Sequence, residues 1–268
     1  MSFPNCRIAF GTAVLLLAGS SPEILHAESV LLHPVADTTL IEVAPNSNLG
    51  GASFFNAGFT GVSTRNRGLI QFALSESIPA GSIITGATLT FDIVRQPAVD
   101  MDQDLFALHR MLVSWGEGDK TPDPEGSPGF GSPATAGDAT WLHRFHGSTP
   151  WSTPGGQAGV DFALTPTAII PVYGIGDPVL IESDLALLAD VQYWLDHPGQ
   201  NFGWMFKAES EAIRKSARSF ASREDFSGGP TLAIEFTPVP EPATWVISVA
   251  GAAAVLWPTL RRRRSLTA

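Results

Sequence analysis

Ala87-Thr88-Leu89-Thr90-Phe91-Asp92-Ile93 decides the class of this chain: apolar and polar side chains alternate at period two, as on a strand with one buried face. Gly68-Leu69-Ile70-Gln71-Phe72-Ala73-Leu74 repeats the pattern. Outward from these two, further strand-like runs recur between Gly, Pro, Asn and Asp punctuation, at 30–43, 52–57, 105–113, 139–145, 168–172, 179–182, 202–207, 217–222 and 231–236. So many short strands with few helical patterns predict an all-β fold, a jelly-roll-like antiparallel β-sandwich, over residues 28–237. One short packed helix is expected: Asp184 follows Ser183, which can cap, and Leu185, Leu188, Val191 and Leu195 fall on one face before Pro198-Gly199. The segments 116–138 and 147–160 are rich in Gly, Pro and Ser, and are expected to be irregular loops where a surface site would lie.

Composition narrows the function classes. The chain has 268 residues, 26 Gly, 21 Pro and a formal charge of −10. Five of its 16 basic residues (Arg7, Arg261, Arg262, Arg263, Arg264) and only two of its 26 acidic ones (Glu23, Glu241) lie in the flanks. The body is thus acidic, with 11 bases against 24 acids, and no nucleic-acid partner is expected, since phosphate binding needs a basic footprint.

The two ends read as addresses. Arg7 precedes the apolar run Ile8 to Gly19, which predicts a signal peptide over 1–27, with cleavage after Leu25-His26-Ala27 or near Ala18-Gly19-Ser20; a buried N-terminal helix or strand is the alternative. The sole cysteine, Cys6, precedes that run, so the mature chain is expected to hold no thiol, no disulfide and no thiolate metal site. At the other end, Val239-Pro240-Glu241-Pro242 leads into an uncharged stretch over 243–260, of transmembrane length, with Trp245 and Trp257 near its ends. The cluster Arg261, Arg262, Arg263, Arg264 follows. This tripartite tail over 238–264 closely resembles the PEP-CTERM sorting signal, although an ordinary C-terminal anchor also fits. The resemblance implies an exosortase-type membrane enzyme as transient partner, brief anchoring in the inner membrane, and a final place in the cell envelope or outside the cell.

Within the body, an ordered set of landmarks stands out: Ala36-Asp37-Thr38-Thr39, Asn46-Ser47-Asn48-Leu49-Gly50, Arg65-Asn66-Arg67-Gly68, Ile78-Pro79-Ala80-Gly81, Trp115-Gly116-Glu117-Gly118 and Arg218-Ser219-Phe220-Ala221-Ser222-Arg223-Glu224. Together they resemble the DNRLRE domain family, which is related to carbohydrate-binding module family 96. The resemblance implies a jelly-roll sandwich and, in some related modules, binding of acidic polysaccharide. The acidity of this body departs from that ligand expectation, because it repels polyanions overall.

Catalytic motifs are weak: the chain has no nucleophile elbow, phosphate loop or zinc-protease helix, and a non-enzymatic role is expected. For polysaccharide, ring faces with polar neighbours are wanted, and Trp115, Trp141 and Trp151 with Arg144 are the candidates. For a structural calcium, the run Asp100-Met101-Asp102-Gln103-Asp104 supplies alternate carboxylates, and by analogy with carbohydrate-binding jelly rolls Asp37 joins them. His143 and His146 stand three apart; on a regular strand they face opposite ways, which predicts a structural pair and not two ligands of one metal. The bases from Lys207 to Arg223 interleave with Glu209, Glu211, Glu224 and Asp225 and are expected to neutralise them.

Overall fold

The computed structural model describes residues 26–97, 104–122, 129–182, 184–212 and 215–239. Residues 1–25 of the expected signal peptide, the expected membrane helix, the residues Pro240, Glu241, Pro242 and Arg261 to Arg264 of the sorting signal, and Asp100 and Asp102 lie outside the described residues. In chain order the elements are β1 (Glu28–Leu32), β2 (Pro34–Ile41), β3 (Ser47–Asn48), β4 (Phe54–Phe59), β5 (Arg65–Phe72), β6 (Ile83–Phe91), β7 (Ile93–Arg95), β8 (Asp104–Arg110), β9 (Ser132–Pro133), β10 (His143–Phe145), β11 (Thr149–Pro150), β12 (Ala168–Val172), β13 (Val179–Ile181), α1 (Leu185–Asp196), β14 (Trp204–Ala208), β15 (Arg218–Ala221) and β16 (Thr231–Thr237).

Every strand pairing is antiparallel. One sheet runs β1-β16-β6-β13; the larger runs β12-β8-β14-β5-β4-β15-β7, with β2 added against β5. The fold is therefore an all-β sandwich. Two of the expected strands are each divided between the sheets. The run 30–43 breaks at His33, so that β1 pairs with β16 while β2 pairs with β5. Likewise 83–94 breaks at Asp92, with β6 in the small sheet and β7 beside β15. Strands that change sheets at a bend are how sandwich corners are made.

The faces follow from period two. On β5, Ile70 and Phe72 enter the core between the sheets with Phe55, Leu89, Phe91, Phe206, Phe220 and Ile234. Phe91, Phe206, Phe106 and Phe220 form stacked and edge-on pairs at 5.1–6.2 Å, each adding about 0.5–1.5 kcal/mol beyond area burial. Gly68 is required there, because a Cβ at this position meets the Phe55 ring at 2.5 Å. Leu69 points the other way, into a second cluster with Leu40, Met205, Met111, Trp115, Trp141, Trp151 and Phe162. The large sheet is thus covered on both faces, by the small sheet and by the segment following β8.

Helix α1 caps one end of the sandwich. Asp184 is its N-cap, accepting from the Ala186 N–H, and Leu187, Val191, Trp194 and Leu195 are buried. The expected face shifts by a fraction of a turn: Leu185 is exposed, and Trp194 takes its place in the core. Gln192 fixes the helix to the small sheet by accepting from the Ile84 N–H at 2.9 Å and donating to the Ser82 carbonyl at 3.2 Å.

Candidate functional site

Four of the six landmark runs, far apart in sequence, meet at one corner. Asn48, fully buried, is its centre: its Nδ2 donates to the Glu117 carbonyl (2.7 Å), the Ala139 carbonyl (2.9 Å) and Thr38 Oγ1 (3.2 Å). Its Oδ1 accepts from the backbone N–H of Gly50 (2.9 Å) and Lys120 (3.3 Å). The glycines exist for the close approach of this loop. A Cβ on Gly50 meets the Glu117 carbonyl oxygen at 2.3 Å, and Gly118, at φ +81°, leaves no room for one against Asn48. The run Trp115–Lys120 is therefore laid down on the run Asn48–Gly51 by hydrogen bonds and contact.

Beside it lies a group of charges. Asp37, on β2 at the sheet edge, has its backbone N–H donated to Glu117 Oε1 (2.9 Å), and its carboxylate accepts from the Arg223 N–H (2.8 Å). The Arg223 guanidinium bridges Glu117 (2.6 and 3.0 Å) and Glu224 (2.9 Å). One arginine thus serves three carboxyls. Burial pushes Asp37 up to about 8, against the Arg223 N–H, with Glu224 and Glu117 pushing the same way. Burial also raises Glu117, although Arg223 opposes it. Together these contacts cover the outer edge of β2, which otherwise offers unpaired backbone groups to another chain.

The residues expected to stack on sugar turn inward. Trp115, Trp141 and Trp151 are 9%, 3% and 4% exposed and belong to the second apolar cluster, so none of the three offers a ring face to solvent. Their cover is the reason. The segments 116–138 and 147–160, expected as a surface site, pack with their neighbours as a third layer, and Trp115 and Trp151 donate to the carbonyls of Phe202 (2.9 Å) and Thr140 (2.8 Å). Trp141 is held beneath two guanidiniums, Arg65 at 5.1 Å and Arg67 at 5.3 Å, which β5 presents on one face by alternation. Arg67 is buried, donates to the Gly155 and Gly156 carbonyls and forms a two-pronged pair with Glu211. Arg144, partly buried, donates to the Ser114 carbonyl at 3.0 Å.

The described calcium candidates do not come together. Asp37 on β2 and Asp104 on β8 are separated by β5 and β14, so three strand spacings, roughly 14 Å, divide their strands. Asp104 instead faces Arg218 at 3.5 Å, with burial raising its pKa. Among the described residues there is no group of three or more His, Cys, Asp or Glu side chains that could hold a metal ion. The basic run does neutralise acids, though partly other ones than expected: Arg223 pairs with Glu224 and Glu117, and Arg218 with Asp104.

Sequence reasoning missed two features. A recess of about 240 Å³ opens beside β4, β5, β7 and β15, lined by Asn56, Asn66, Arg95, Gln96, Arg218 and Ser219 among others. Asn66 Oδ1 is buried there without a hydrogen-bond partner, and Arg95 is exposed with its guanidinium over Phe54 at 4.4 Å. The alternation of Arg65-Asn66-Arg67 does place Asn66 on the opposite face from its neighbours, but nothing in sequence joins it to Arg95. The second feature corrects an expectation: the His143 and His146 rings do not diverge but lie side by side, 5.3 Å apart with their planes at 88°. The β10–β11 pairing carries a register shift between His143 and Phe145, and one extra residue in a strand reverses the alternation beyond it.

No family model and no curated protein matches the chain. The resemblances to the DNRLRE and PEP-CTERM patterns rest on the residues quoted above.

Proposed function

We propose that this chain is an exported, non-enzymatic β-sandwich protein of the envelope or extracellular matrix, jelly-roll-like in topology, with a structural or adhesive role. Its body is of DNRLRE type, and its tail from Val239 onward is a PEP-CTERM-type address processed by an exosortase-like enzyme at the inner membrane. The observation that carries the structural role is the inward turn of the landmark residues Asn48, Arg67 and Trp115 and of the candidates Trp141 and Trp151, which hold loops onto the sheet and present no open binding face. The route is tested by mass spectrometry of the mature protein from fractionated cells. Cuts near 27 and near Pro240-Glu241-Pro242 are expected, and deleting Arg261, Arg262, Arg263 and Arg264 should trap the precursor in the membrane fraction. A cytosolic product with both ends intact refutes the route.

The recess beside Arg95 favours one second reading, a module that binds an acidic glycan. An exposed guanidinium beside amide and hydroxyl groups is suited to a carboxylate with adjacent hydroxyls. A glycan array with the wild type and Arg95→Ala separates the two: binding lost in the variant supports the module, and no binding to any glycan supports the structural role.

A further inference from the structure

We infer that His143 and His146 form a two-histidine site for a borderline transition-metal ion, Zn2+ or Cu2+. Three observations carry this. First, the two rings are neighbours, with centroids 5.3 Å apart and planes at 88°. Two imidazoles on one tetrahedral ion, with metal–nitrogen bonds of about 2.0–2.1 Å and ring centres about 1.1 Å beyond each nitrogen, stand roughly 5.2 Å apart. The centroid spacing and crossed planes are those a shared ion allows.

Second, Nδ1 of each ring is buried and has no hydrogen-bond partner. Among the described residues only five buried side-chain polar atoms are in this state, and two of them are these adjacent nitrogens. Leaving buried polar atoms unpaired is costly, and native proteins rarely do it twice at one place. A bare Nδ1 lone pair is the form in which imidazole ligates a metal, and one ion accepts both.

Third, the backbone around the pair is fixed before any ion arrives. The His143 N–H donates to Thr140 Oγ1 (3.0 Å) and its carbonyl accepts from the Thr140 N–H (2.8 Å). The His146 N–H donates to the Asp138 carbonyl (2.7 Å), and its own carbonyl accepts from the Gly137 N–H (3.0 Å). The bulge between His143 and Phe145 places both rings on one side. Nitrogen donors select Zn2+ or Cu2+ over Ca2+ and Mg2+, which require oxygen. Two protein ligands leave the remaining positions to water or to a partner's donor.

The test uses the purified full-length chain with Zn2+ or Cu2+ alone. With 15N-labelled histidine, one equivalent of Zn2+ is expected to move the Nδ1 resonances of His143 and His146 together, while those of His26, His33, His109 and His197 stay in place. Cu2+ should give an electron paramagnetic resonance signal with two imidazole nitrogens. Zn2+ at a hundred times its dissociation constant should raise Tm by about 5–10 °C. His143→Asn and His146→Asn should each weaken binding about tenfold or more, since either removes half of the protein's donors. The inference is overturned if saturating Zn2+ leaves both Nδ1 resonances unmoved, or if the folded variants bind as the wild type does. Should either variant fail to fold, the resonances of the wild type decide alone.

Discussion

Replacing Asp37 by Asn isolates the buried charge at the landmark corner. The carboxyl is 1% exposed and raised from 3.8 to about 8, chiefly by burial. A group whose pKa is higher in the folded state favours folding while it is protonated. Its contribution is full below about 3.8 and is lost as pH rises through about 8. At about 1.4 kcal/mol per pH unit, that interval corresponds to at most roughly 6 kcal/mol. The flexible, 39% exposed Arg223 side chain can move toward the ionised carboxylate, so about 2–4 kcal/mol is expected in practice. Asn keeps an oxygen for the Arg223 N–H but carries no charge to desolvate. Urea unfolding of both proteins between pH 4.5 and pH 9 measures the difference. The variant should match the wild type near pH 4.5 within about 1 kcal/mol and exceed it by about 2–4 kcal/mol at pH 9. Taking the difference cancels every other titrating group except those coupled to Asp37, namely Glu117, Glu224 and Arg223. A difference that stays flat, or that falls as pH rises, refutes the assignment of a strained buried charge.

Other substitutions probe the layers. Asn48→Ala leaves the Glu117 and Ala139 carbonyls unpaired and should cost about 2–4 kcal/mol, with faster amide exchange confined to 115–120 and 137–140. Gly68→Ala drives a methyl into the Phe55 ring and should cost about 1–3 kcal/mol; Gly81→Ala, at φ +81° with nothing within 4 Å, carries only backbone strain and should cost about 1 kcal/mol, both read by thermal unfolding. Arg67→Met strands the Glu211 carboxylate and uncovers Trp141, and should cost about 3–5 kcal/mol with a red-shifted tryptophan emission.

The strands were legible because each buries a face and therefore alternates: 168–172 and 231–236 emerge as β12 and β16 almost residue for residue. The places where a strand leaves one sheet for the other, His33 and Asp92, were not legible, since a corner keeps the alternation and changes only the partner. The helix was legible from its period, but the N-cap is Asp184 and not Ser183, and the buried face takes in Trp194 where the leucine spacing pointed to Leu185. The site was read less well. Tryptophans in Gly- and Pro-rich segments look like surface anchors, and only the second apolar face of β5 and β14, Leu69 and Met205, explains why those segments fold down and bury them. The facing of the two histidine rings was not legible for one physical reason, a register shift that no local composition announces.

The landmark sequences consequently inform on architecture and say little about ligand. In Arg65-Asn66-Arg67-Gly68, the two arginines hold Trp141 of the third layer against β5, and the glycine admits Phe55 to the core. Asn66 alone is left with a free acceptor, and it opens on the recess that Arg95 shares. In Asn46-Ser47-Asn48-Leu49-Gly50 the amide of Asn48 carries five hydrogen bonds within the fold. Groups so fully engaged have no capacity left for an outside partner without unfolding the corner they hold. On the reading proposed above, recognition falls to side chains the scaffold leaves uncommitted. Arg95 above Phe54 and the adjacent His143 and His146 are of that kind, and both sit beside a register shift, where the alternation that builds the core is interrupted.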